Sequence, residues 1–149
     1  MAPRLAASPA PDGFTEVRAW PLRTLDDLAV LRADLVASLP PAPGGRPSLE
    51  EIPESVLLVA SELATNALQH GDGAALVRLS ARPDGFLLEV QDRKPSTAPR
   101  IDEGSTRGGG GFGMQLVVRL ADAVGWFTTD GAKHVWARFR VRAATPAVV

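Results

Sequence analysis

The chain of 149 residues contains no cysteine. Disulfides, cysteine-held metal ions and thiol nucleophiles are thereby excluded. Two histidines leave little room for a histidine-rich metal site. Charge of one sign is also lacking: 16 Lys and Arg stand against 17 Asp and Glu, for a net charge of -1. Without a basic excess there is no footprint for direct nucleic-acid binding, and no block of acidic residues forms a solvating arm. No apolar run approaches the roughly 20 residues needed to span a bilayer. The N-terminal residues carry one positive charge and no apolar stretch of usable length, so they do not read as a secretory signal. A cytoplasmic protein that avoids membranes is the default expectation. What is present is a globular composition, with 45% hydrophobic residues, in a length that suits one domain with a real core. The expected division is a disordered, Pro- and Ala-rich leader over residues 1–13, a single domain over 14–142, and a flexible tail over 143–149.

Apolar spacing gives the elements. Residues 14–20 alternate imperfectly and read as a strand that Pro21 ends, with Phe14, Glu16, Arg18 and Trp20 on one side. Thr24 is placed as a helix N-cap, with Asp26 and Asp27 in the first turn. Leu25, Leu28, Leu31, Leu35 and Val36 then form an apolar face to about residue 39. Prolines and glycines between 40 and 47 break the chain. Ser48 and Glu51 have capping-box spacing for a second helix. Its core stripe is Val56, Val59, Ala60, Leu63 and Ala67, and it stops at His70 and Gly71. Two strands joined by a turn at residues 82–85 follow, over 75–81 and 86–91, with Asp92 at the end of the second. Residues 92–113 are a long Pro- and Gly-containing loop, of the kind that is functional or disordered in a small domain. A third helix covers about 113–123, and a final hairpin covers 124–129 and 133–141 around Asp130-Gly131. Strand, two helices, hairpin, helix, hairpin implies an α+β two-layer sandwich: a mostly antiparallel sheet covered on one face by helices.

Three features bear chemistry. Glu62 and Asn66, four apart on the second helix, meet on one face beside the apolar stripe. Alone, such a pair is most simply a solvated helix edge. Asp92 at a strand end could accept hydrogen bonds from a ligand amine, or it could be a turn residue. The glycines at 108–111 and 113 formally match a dinucleotide fingerprint. That fingerprint must follow a strand directly and open a strand-helix-strand unit, which this loop does not do. Glycines before a helix N-terminus do let backbone N–H groups approach an anion, and a flexible linker would have the same composition. No Gly-x-Ser-x-Gly elbow points to a hydrolytic triad, and the phosphate-loop pattern is absent.

Taken in order, Ser61-Glu62-Leu63-Ala64-Thr65-Asn66-Ala67-Leu68-Gln69-His70-Gly71, then Val90-Gln91-Asp92, then Gly111-Phe112-Gly113-Met114-Gln115-Leu116-Val117, resemble the ATP-binding domain of the histidine-kinase-type (GHKL, Bergerat-fold) superfamily. Residues 133–139 look like that family's closing strand. Within the superfamily the chain is similar to the small anti-sigma factor serine/threonine kinase regulators. The resemblance implies ATP and Mg²⁺ as cofactors and a role for each matching residue. Asn66 would ligate the metal, Glu62 would act as general base, and Asp92 would receive the adenine amino group. Gly111, Gly113 and Met114 would line the phosphate side, with Gly108, Gly109 and Gly110 in a lid. His70 and Gly71 would complete the helix end, and Arg107 would contact phosphate. Magnesium's preference for a few oxygen ligands agrees with this set. The implied function is transcription control by an ATP-binding regulator that binds a sigma factor, or that phosphorylates an anti-sigma antagonist as a protein serine/threonine kinase. A homodimer is compatible with it. The family motif continues after its aspartate as Asp-x-Gly-x-Gly, whereas this chain has Asp92-Arg93-Lys94-Pro95-Ser96. That departure removes backbone freedom beside the pocket and motivates an alternative, a catalytically inactive interaction module.

Overall fold

The computed structural model describes residues 6–38, 52–70, 73–93 and 113–140. Its elements are β1 (Thr15–Leu22), α1 (Leu25–Ser38), α2 (Ile52–His70), β2 (Ala75–Arg82), β3 (Gly85–Asp92), α3 (Gly113–Leu120), β4 (Ala123–Thr129) and β5 (Ala132–Arg140). The five strands form one sheet in the order β1-β2-β3-β5-β4, and every neighbouring pair is antiparallel. The expected α+β two-layer arrangement is what forms.

Period-two alternation sorts the side chains. Val77 and Leu79 of β2, Phe86, Leu88 and Val90 of β3, and Val135, Ala137 and Phe139 of β5 enter one core with residues of all three helices. Within α2, Val56, Val59, Ala60, Leu63 and Ala67 are all buried, as their spacing requires. Fully burying a Leu or Val side chain contributes about 1.5–3 kcal/mol, so this stripe fixes the rotation of α2 about its axis. α2 lies against β2, β3 and β5 and touches both other helices.

α1 is capped reciprocally. The Asp27 N–H donates to Thr24 Oγ1 (3.3 Å), and Asp27 Oδ2 accepts from the N–H groups of Thr24 (3.1 Å) and Arg23 (2.7 Å). Leu28, Leu31 and Leu35 are buried, but Leu25 and Val36 are 68% and 62% exposed. The apolar face of α1 is therefore narrower than its composition suggests. The helix is held down by polar ties as well. Trp20 Nε1 donates to Asp34 (3.0 Å), and Arg18 pairs with the same carboxylate (3.0 Å). Arg32 Nε donates to Ser61 Oγ of α2 (2.9 Å).

Several boundaries differ from the sequence expectation. β1 runs through Pro21 to Leu22. It is an edge strand, where a residue without an N–H is tolerated. The ladder slips between Glu16 and Arg18, a bulge that accounts for the imperfect alternation there. α3 ends at Leu120 and β4 begins at Ala123. The Ala121 N–H still donates to the Val117 carbonyl (3.0 Å), whereas the Asp122 N–H already donates to the Arg138 carbonyl (2.8 Å). Sheet pairing thus claims residues that helical periodicity alone assigns to α3.

A further difference lies in the N-terminal segment, expected to lack structure. Ala7 bridges Trp126 in parallel, with Ser8 N–H to Trp126 O at 2.8 Å and Trp126 N–H to Ala6 O at 3.3 Å. The indole of Trp136 lies over Gly125 and its Nε1 donates to the Ser8 carbonyl (2.9 Å). From this edge beside β4 the chain must reach β1 at the opposite edge. It passes the Arg82 guanidinium, which meets the Asp12 carbonyl at 3.5 Å and sits over the Phe14 ring.

Candidate functional site

Glu62 and Asn66 sit at the border of the buried stripe of α2 and are themselves half-buried. Their neighbours Leu63 and Ala67 are buried, so the two polar side chains are held on the flank of a helix that cannot rotate. α2 ends at His70. Five residues later Ala75 opens β2, and Ala75 is the cross-strand partner of Asp92. Five residues of chain reach at most about 18 Å. The C-terminal end of α2 and the C-terminal end of β3 therefore lie at the same end of the domain.

Asp92 is buried on the helix-facing side of the sheet, two residues beyond core Val90. Its row across the sheet is Leu22, Ala75, Asp92, Lys133 and Thr128. Lys133 Nζ stands 3.5 Å from Asp92 Oδ2, with side-chain exposures of 6% and 5%. A cleft of about 240 Å³ opens here, lined by Pro21, Leu22, Ala75, Leu76, Gln91 and Asp92 among others. Leu22 and Ala75 give it an apolar side, and Asp92, Arg23 and Arg93 bring charge of both signs. Glu62 and Asn66 are not in its lining.

A family model for the histidine kinase-like ATPase domain matches residues 24–139, most of the chain. The chain belongs to the histidine kinase-like ATPase domain family. Among solved structures, the NMR structure of the histidine kinase domain of the E. coli osmosensor EnvZ is similar at 19% identity, covering 87% of this chain and 92% of that one, with a TM-score of 0.47. A comparison with curated proteins finds no match. The GHKL type of ATP-binding domain read from the motifs is thus the right class. No helix of the described residues is long and apolar enough to cross a membrane.

Within this ATPase-domain fold the other site candidates fall as follows. Gly113 is the first residue of α3. Met114 is buried in the core cluster, so it bears on a pocket through packing. Gly71, Arg107, Gly108, Gly109, Gly110 and Gly111 lie outside the described residues, as do the Ser48 and Glu51 cap and the Lys94-Pro95 departure. Among the described residues no three His, Cys, Asp or Glu side chains gather to hold a metal. A magnesium carried by a nucleotide needs no such cage. It keeps several waters and takes one or two protein oxygens besides phosphate, and the Asn66 carboxamide on a fixed helix flank is a donor of that kind.

Two groups escaped the sequence reading. Lys133 became visible only through the β3–β5 register, which sets it opposite Asp92. His134, one residue on, faces the other way. Its Nδ1 lies 2.9 Å from Glu89 Oε2 and its Nε2 lies 2.8 Å from Thr129 Oγ1. Its ring stacks on Phe127 with centroids 4.5 Å apart. Arg78 joins the network through Glu89 (3.2 Å), Gln91 (3.3 Å) and Glu16 (3.2 Å). This network ties all five strands of the described sheet together on the face away from Asp92. It belongs to the sheet and not to the cleft.

Proposed function

We propose that the chain is an ATP-binding regulatory protein of the anti-sigma factor/serine-threonine kinase type. It controls transcription by binding a sigma factor or by phosphorylating an anti-sigma antagonist. The observation that carries the nucleotide reading is the buried Asp92 carboxylate on the face of the sheet against which α2 packs. A carboxylate only accepts hydrogen bonds, so in a cleft with apolar Leu22 and Ala75 it selects a flat ring with an amino group. Bound Mg·ATP supplies the phosphoryl group and the cation that offsets its charge. Asn66 offers the oxygen ligand for that cation. Glu62, one helical turn before it, orients a serine or threonine hydroxyl of the antagonist and accepts its proton. His70 and Gly71 close the helix end, Gly111 and Gly113 line the phosphates, Gly108, Gly109 and Gly110 form the lid, and Arg107 contacts phosphate as a charge match.

The roles separate experimentally. Asn66→Ala should abolish the magnesium dependence of ATP affinity, and unchanged dependence would remove Asn66 as a ligand. Glu62→Ala should bind ATP normally and transfer no phosphate to the antagonist; transfer at the wild-type rate would remove it as base. Affinity capture with ATP present should recover a sigma factor or its antagonist. If neither is recovered from a preparation that binds ATP, the regulatory role fails while the nucleotide site stands.

A second reading is supported by Lys94 and Ser96, which stand where the family motif has its glycines after the aspartate, with Pro95 between them. On that reading the domain is a catalytically inactive interaction module. Absence of binding at millimolar Mg·ATP would select it.

A further inference from the structure

Asp92 does not enter the cleft region as a single charge. Lys133, the second residue of β5, lies directly across from it, with Nζ 3.5 Å from Oδ2 and both side chains almost wholly buried. Taking two charges out of water is costly, and their attraction repays the cost only partly. Well-packed apolar residues of similar volume would serve folding as well or better. On the Asp92 side the same row is apolar, with Leu22 and Ala75 in the wall of the cleft that reaches Asp92. Lys133 is not itself in that wall but stands beside the carboxylate that is, so an acceptor and a donor lie side by side at the Asp92 end of the cleft.

We propose that Lys133 is a second base-recognition residue, whose ammonium donates to ring nitrogen N1 of adenine while Asp92 accepts from the 6-amino group. The proposal rests on the ATP-binding reading and deepens it. A carboxylate can only accept and an ammonium can only donate. The adenine edge presents an amino donor beside the N1 acceptor, so the pair matches it in one orientation. A 6-oxo purine reverses both atoms: an oxygen would face Asp92 and an N1–H would face Lys133. Ion pairing also keeps the lysine beside the carboxylate, so the donor is positioned before the base arrives. Discrimination is strong where a buried polar group is left unpaired by the wrong ligand.

The test changes one atom of the ligand and one residue of the protein. Equilibrium binding of Mg·ATP and of Mg·1-deaza-ATP, which keeps the 6-amino group and has C–H in place of N1, is measured on the full chain and on Lys133→Met. The wild type should prefer ATP by at least tenfold. Lys133→Met should lose at least tenfold in ATP affinity and keep its 1-deaza-ATP affinity within twofold, so that the preference disappears. Lys133→Gln, which retains a neutral donor, should recover part of it. Equal wild-type affinity for the two nucleotides would overturn the proposal. So would a variant that weakens both equally, because that is the signature of a structural role. If Lys133→Met does not fold, the wild-type comparison and Lys133→Gln decide. Failure of the wild type to bind either nucleotide would instead refute the ATP-binding reading itself.

Discussion

Breaking the Asp92–Lys133 pair one charge at a time should cost far more stability than removing both charges. At 3.5 Å two unit charges attract by about 5 kcal/mol at an effective dielectric constant of about 20. Loss of one partner leaves the other buried and uncompensated, and such losses run to about 3–5 kcal/mol. Lys133→Met and Asp92→Asn should each fall in that range. For a domain of this size each kcal/mol lowers the melting temperature by roughly 2–4 °C, so each single variant should melt about 6–20 °C lower. The double variant Asp92→Asn/Lys133→Met carries no buried charge at the position. Its total cost should be less than the sum of the two by about 2–4 kcal/mol, well above the few tenths expected for independent sites. Urea denaturation of the four proteins, without nucleotide, reads this coupling from the midpoints. Additive costs, within about 0.5 kcal/mol, would refute the claim that the two charges are buried against each other.

Other parts of the fold give independent tests. A methyl group on Gly125 would stand 2.5 Å from the Trp136 ring, so Gly125→Ala should displace the indole from Ser8. It should cost about 1–3 kcal/mol and change the tryptophan fluorescence of the native state; an unchanged spectrum would contradict the seating of Trp136. Leu31→Ala, in the fully buried stripe of α1, should cost about 2–5 kcal/mol, whereas Leu25→Ala, on the exposed side, should stay within about 0.5 kcal/mol. Equal effects in thermal melts would mean that α1 is rotated. Hydrogen bonds from the backbone N–H of Arg23, then of Thr24, hold the Asp27 carboxyl below its ordinary value. Its folded-state pKa being the lower one, the stabilisation is complete above the ordinary carboxylate range near pH 4 and disappears as pH falls through the depressed value. Asp27→Asn should flatten that segment of the stability–pH curve, and an unaltered slope would remove the cap as its source.

The elements were legible where one periodicity acted alone. The stripe from Val56 to Ala67 determined α2, and Asp130-Gly131 determined the last turn, with Gly131 at φ 72°. Legibility failed where a distant partner overrode local preference. Pro21 stays in β1 because its strand is an edge, and Asp122 leaves α3 because the Arg138 carbonyl accepts its N–H. Ala6 to Ser8 are ordered by the edge of β4 and by Trp136, more than a hundred residues away, which no local composition could announce. The site divided in the same way. Glu62 and Asn66 were visible by their spacing on one helix face, and Asp92 as a polar residue at a strand end. Lys133 was hidden because its meaning depends on the register of β3 against β5. Its neighbour His134, equally polar, was turned by the same register into the sheet's other face.

The central claim is that this histidine kinase-like domain holds ATP against Asp92. Titration of the intact chain with Mg·ATP, followed by calorimetry, tests it most directly, with Asp92→Asn as the paired sample. Saturable binding of one nucleotide per chain, weakened at least tenfold in Asp92→Asn, is the result predicted here. No binding at millimolar nucleotide, or affinity indifferent to the loss of the carboxylate, would contradict it.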